Sequence, residues 1–187
     1  ARARPAAWPA DCWRGGLGSM TVYDEAVAAP AMHRAMEEKG LDAAVVVGAD
    51  WCVVDPALVD DCVERYRSQT PGPSAYRVSF CQAPPGLGAC LIERGMMRDM
   101  AERAESAGAF ASLGGVLGYV PLAPTGDPIA KPTCVTTEPG VRDAQYRFVP
   151  DGPERRAALA SAIEGLGDSF DAAPAMRIVE GVAGVRR

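Results

Sequence analysis

Histidine is almost missing from this sequence: His33 is the only one in 187 residues. A histidine-based catalytic triad has no support, and His33 lies in a helical stretch without a neighbouring cysteine or serine motif, as a solvated helix residue does. Cys-x-x-Cys pairs are missing too. The six cysteines, Cys12, Cys52, Cys62, Cys81, Cys90 and Cys134, stand too far apart for the short spacings of zinc and iron–sulfur sites, so buried reduced thiols are expected. No apolar run approaches the roughly 20 residues that span a bilayer. Ala1-Arg2-Ala3-Arg4-Pro5 lacks the apolar stretch of a signal peptide, so a cytoplasmic location without membrane contact is expected. Basic surplus is likewise absent. With 19 Lys and Arg against 24 Asp and Glu, the net charge is −5, and no concentrated basic surface is available for nucleic acid or an anionic membrane. Any polyanion handled by this chain is expected to be small.

What is present is an ordinary globular composition, 48% apolar and 23% charged, long enough to bury a core as one domain over residues 1–187. Apolar periodicity alternates between short runs and helical stretches. Asp24 to Lys39 has helical spacing at Val27, Met32 and Met36 and stops at Gly40, a residue suited to a left-handed C-cap. Val45-Val46-Val47 then predicts a fully buried central strand over residues 43–48, with Asp50 at its carboxyl end. Pro56 starts a helix running to about Arg67, and the prolines and glycine of residues 69–74 break it. Tyr76 to Gln82 is a second strand by its alternating β-formers, followed by the stiff loop Ala83-Pro84-Pro85-Gly86-Leu87-Gly88 and a helix over Cys90 to Ala107. Residues 108–150 are rich in Gly and Pro, with weak strand signals near Val116–Leu122 and Tyr146–Val149, and are expected to be long loops. Asp151 is placed as the N-cap of a helix with apolar Leu159, Ile163 and Leu166 that stops near Gly167. Residues 171–187 look like an edge element or linker.

An acid at the end of a buried strand sits where open α/β sheets place ligand chemistry, which makes Asp50 the leading candidate site residue. Trp51 adjoins it and is the best placed of Trp8, Trp13 and Trp51 to stack on a base or sugar, although isolated tryptophans more often pack in a core or at its rim. Gly15-Gly16-Leu17-Gly18-Ser19 has a phosphate-loop composition without the lysine or a preceding strand, and Gly114-Gly115-Val116-Leu117-Gly118 is no stronger, so both are surface loops on this reading.

Five blocks stand out along the chain: Trp13-Arg14-Gly15-Gly16, Thr21-Val22-Tyr23-Asp24, Val46-Val47-Gly48-Ala49-Asp50-Trp51 with Val54-Asp55-Pro56, Pro84-Pro85-Gly86-Leu87, and Tyr146-Arg147-Phe148 leading to Asp151-Gly152-Pro153-Glu154. Together they resemble cytidylyltransferase-like nucleotide-diphospho-sugar transferases of the spore-coat polysaccharide and 3-deoxy-manno-octulosonate types. The resemblance covers about residues 13–170. It implies an α/β fold of the GT-A-like type, with a mixed, mostly parallel sheet flanked by helices. The implied activity is nucleotidyl transfer from a nucleoside triphosphate to a sugar or sugar acid.

That chemistry needs an ion to neutralise the triphosphate more than it needs covalent help from protein. The resemblance therefore implies Mg²⁺ held by Asp50 and Asp151, with Arg147 steadying a phosphate or sugar acid through its planar fork. The simpler roles are a turn acid for Asp50 and a helix cap for Asp151. Two departures stand out. Nothing before Trp13 matches the basic Gly-rich loop that grips the nucleotide in this family, so the domain is expected to be incomplete at its N-terminus or completed by a fused or neighbouring domain. Asp50-Trp51-Cys52 also replaces the usual Asp-x-Pro. The alternative is a non-catalytic derivative of the fold that binds a ligand or another domain, and a homodimer is compatible with either reading.

Overall fold

The computed structural model describes residues 27–69, 77–107, 111, 132–142, 144, 146–167 and 175–185. Their elements are α1 (Ala29–Glu38), β1 (Ala43–Val46), α2 (Pro56–Gln69), β2 (Val78–Cys81), β3 (Cys90–Glu93), α3 (Arg94–Ala107), β4 (Cys134–Val135), α4 (Pro139–Arg142), α5 (Pro153–Leu166) and α6 (Ala175–Val185). The class is α/β, with helices on a four-stranded mixed sheet of order β1-β3-β2-β4. No helix among the described residues is long and apolar enough to cross a membrane.

The sheet corrects the expectation of mostly parallel strands. β3 is antiparallel to both its neighbours, β1 and β2, so that of the three pairings among the described residues only β2–β4 is parallel, although β1, β2 and β4 point the same way. Residues 82–89, which join β2 to β3, are too few for the helical crossover that a parallel neighbour requires. β1 forms at the valine run but at the edge of this sheet, with Val45 39% and Val47 44% exposed, so its central placement is also corrected. The two interior positions belong to β3 and β2, and the sequence pattern merges β3 into a helix beginning at Cys90. The Glu93 carboxylate explains the switch: Oε1 accepts the Gly95 N–H at 2.8 Å and Oε2 the Met96 N–H at 3.0 Å, ending the strand and capping α3 together.

Local chemistry sets other boundaries as expected. At the end of α1, Gly40 has φ of 63°, the Leu41 N–H donates to the Met36 carbonyl at 2.9 Å, and the Gly40 N–H donates to the Glu37 carbonyl at 3.1 Å. This pair of bonds is a Schellman stop, and β1 follows directly.

Strand alternation feeds two cores on opposite faces of the sheet. Val78, Phe80, Cys90, Ile92 and Cys134 join Met36 of α1 and Met96, Met97 and Met100 of α3. Cys81 and Val135 join Cys62 of α2, Val141 of α4, Leu159 of α5 and Ile178 of α6.

The tail is a docked helix, not an edge element or linker. In α6, Ala175, Ile178 and Val182 are buried at helical spacing, and Gly181 lies where an added Cβ would stand 3.1 Å from the Ala162 Cβ of α5. Tyr146–Val149 is irregular chain, and β4 lies within the stretch expected to be loops. Cys12, Trp8, Trp13, Gly15–Ser19, Thr21–Asp24, Gly114–Gly118 and Val116–Leu122 lie outside the described residues.

Candidate functional site

β1 runs into a tight turn that carries Asp50. The Trp51 N–H donates to the Gly48 carbonyl at 3.0 Å, and the indole lies so close over Gly48 that an added Cβ would stand 2.3 Å from Nε1. Trp51 is half-buried and packs against the α1/α3 core, so packing against protein accounts for part of the ring expected to stack on a ligand. Asp50 is half-buried in the same turn, and Cys52 beyond it is exposed. Partial burial raises the Cys52 thiol pKa above its ordinary value against a backbone hydrogen bond, and the Asp50 carboxylate raises it further.

Val53 then enters the opposite core, and Asp55 begins α2. Asp55 is nearly buried, with Oδ1 accepting the Ala57 N–H at 2.8 Å and Oδ2 accepting the Ala175 N–H at 2.7 Å. One carboxylate thus sits at the N-termini of α2 and α6, an arrangement that suits the positive ends of both helix dipoles.

The loop Pro84–Gly88 is the hub of the site and is buried throughout. Its Leu87 carbonyl accepts the Asp55 N–H at 2.8 Å, and its Pro85 carbonyl accepts the Phe148 N–H at 2.9 Å. The segment bearing Asp50 and the segment bearing Arg147 and Asp151 are therefore attached to the same loop. Phe148 is buried, and Tyr146 meets it edge-on with ring centroids 5.1 Å apart. Beneath the loop, the Cys62 and Cys81 thiols both lie 3.7 Å from the Ala89 carbonyl. Their contact and burial push the Cys62 pKa well up, and burial pushes up that of Cys90, so both remain thiols at neutral pH.

Asp151 is not the cap of α5. Gly152 takes the N-cap position, while the Asp151 side chain, only 2% exposed, accepts the Arg147 Nε–H on Oδ2 at 3.1 Å and the Arg155 Nε–H on Oδ1 at 2.5 Å. The structure joins Arg147 to Asp151, a pairing the sequence reading did not make, and adds Arg155, which sequence reasoning missed altogether. The signal for it was the second four-residue step, Asp151 to Arg155, across the helix start.

The same contacts change the fit for Mg²⁺. A carboxylate whose two oxygens each accept a guanidinium N–H is poorly suited to serve as a hard-ion ligand, since the cation would have to displace an arginine. Asp151 does not fit that role in this arrangement; Asp50 remains the one predicted metal carboxylate whose role these contacts do not reassign. Among the described residues no three His, Cys, Asp or Glu side chains gather into a group that could hold a metal ion. No protein-family model matches this chain, and no curated protein or solved structure matches it.

Proposed function

We propose that this chain is a nucleotidyltransferase-type domain that binds a nucleoside triphosphate or nucleotide-activated sugar in the cytoplasm, around the loop Pro84–Gly88. The observation that supports this reading is the attachment of both Val53–Pro56 and Tyr146–Asp151 to that loop through Leu87 and Pro85. Three sequence blocks that resemble the cytidylyltransferase-like family, far apart in the chain, thereby become neighbours. Asp50 and Trp51 would face the sugar nucleotide from one side. Arg147, oriented through Asp151, would meet a phosphate or sugar carboxylate from the other, where a planar guanidinium matches the geometry of an oxyanion.

A second reading, a ligand-binding derivative without transferase activity, is favoured by one feature. Asp151 holds two arginines, so the paired carboxylates expected for Mg²⁺ reduce to Asp50. Incubating the chain with CTP, Mg²⁺ and a panel of sugar acids, with pyrophosphate release and calorimetric binding measured side by side, separates the two. Release that is lost in Asp50→Asn supports the transferase, and binding without release supports the derivative. A chain that neither binds nor turns over any cytidine nucleotide removes both.

A further inference from the structure

We propose that Asp55 is a positioning residue that fastens the C-terminal helix α6 to the turn carrying Asp50 and Trp51, so that the docking of α6 shapes the candidate site. Its place in the ligand site rests on the nucleotide-sugar reading; the fastening itself does not.

Four bonds carry the inference. The Asp55 N–H donates to Leu87 at 2.8 Å, the Asp55 carbonyl accepts the Val59 N–H at 3.2 Å, Oδ1 accepts from Ala57, and Oδ2 accepts from Ala175, 120 residues away. Each polar atom of one nearly buried residue is thus committed to a named partner, in the hub loop, in α2 or in α6. The neighbouring residues continue the connection. Val53, two residues before Asp55, shares its core with Ile178 and Val182 of α6. If α6 leaves, Oδ2 loses its donor inside the protein and Val53 loses part of its cover.

A carboxylate is required because two oxygens must accept at once. Asparagine offers one oxygen and turns an N–H₂ toward the other helix. Ala57 lies two residues from Asp55 and cannot move away, so α2 keeps the remaining oxygen and α6 loses its bond. Serine at position 55 is a comparable N-cap for α2 and is too short to reach across to Ala175.

The test is peptide-resolved hydrogen exchange together with alkylation of the exposed Cys52 thiol by iodoacetamide, on the parent, Asp55→Asn and Asp55→Ser. For both variants the first turn of α6 should exchange about tenfold faster, the middle of α2 should stay within roughly twofold, and the Cys52 rate should shift by roughly threefold or more. If one variant does not fold, the other decides. Unchanged exchange in α6 overturns the proposal. So does faster exchange in α6 with the Cys52 rate unaltered, which would make Asp55 a helix cap and nothing more, and so does an equal rise across α2, α6 and β3. Titration with CMP then reads the link to the site: weakened binding in both variants, several-fold, is expected. A parent that binds no CMP removes the nucleotide reading and leaves the fastening standing on the other two measurements.

Discussion

Gly86 and Phe148 approach so closely that a Cβ on Gly86 would stand 2.0 Å from the Phe148 carbonyl oxygen, and Gly86 holds φ of 100° to allow it. Both the space and the backbone angle admit only hydrogen at this Cα. Gly86→Ala should therefore cost about 3 kcal/mol, from left-handed strain and displacement of the facing backbone. Urea denaturation checks this; a loss below about 1 kcal/mol would mean that the two segments separate readily.

Asp151→Asn should destabilise the chain by about 3 kcal/mol, because it removes a buried carboxylate charge shared by two largely buried guanidiniums, those of Arg147 and Arg155. Asp99→Asn, which breaks the more exposed Arg77–Asp99 pair, should cost no more than about 1 kcal/mol. A denaturation series in which the two losses are equal would deny Asp151 its central place.

Thiol chemistry offers a pH test at Asp50. Cys52 should be alkylated in the native protein while Cys62, Cys81, Cys90 and Cys134 are protected by burial. Because the Asp50 charge contributes to the raised Cys52 pKa, Asp50→Asn should lower it, increase the thiolate fraction near pH 8 and speed labelling there. The difference should vanish at pH values above both thiol pKa values, where both proteins carry the thiolate. A variant labelled no faster than the parent at mildly alkaline pH would place the charge elsewhere.

Val45 and Leu91 face each other across the β1–β3 ladder, yet one is exposed and the other buried. Val45→Thr should change stability by no more than about 0.5 kcal/mol, as at other exposed edge positions. Leu91→Ala should cost about 3 kcal/mol. Thermal or urea unfolding showing the larger loss at Val45 would return β1 to the middle of the sheet.

The contrast between those positions explains which parts of the fold were visible in the sequence. Gly40 and Pro56 mark helix ends through their own backbone chemistry, so the stop of α1 and the start of α2 are local facts. The edge position of β1 is not local. Val45-Val46-Val47 and Cys90-Leu91-Ile92 are equally apolar, and only the short connection of residues 82–89 decides that β3 folds back between β1 and β2. The C-terminal helix is hidden for a similar reason. Its apolar residues Ala175, Ile178 and Val182 have helical spacing, but Gly181 and Gly184 weaken the signal, and the close approach to Ala162 that favours Gly181 is a tertiary contact. At the site, the helix start at Pro56 is visible, whereas the bond from Asp55 just before it to Ala175 spans 120 residues and leaves no mark nearby. Arg147 and Asp151 are both visible as candidates, but with separate roles, and their pairing, like the preference of Asp151 for two arginines over a helix cap or a cation, emerges only from the assembled side chains.

β2 lies between both cores, and this makes its alignment self-checking. Val78 and Phe80 are claimed by the α1/α3 layer, while Cys81 is claimed by the layer of α2, α4, α5 and α6. A slip of one residue would exchange these assignments along the whole strand, pushing the ring of Phe80 among Cys62 and Leu159 and offering small or polar side chains to the methionines of α3. An error that one helical layer tolerated would still be rejected by the other. Neither layer can finish docking on a misaligned strand, so the two halves of the molecule proofread the same four residues from opposite sides.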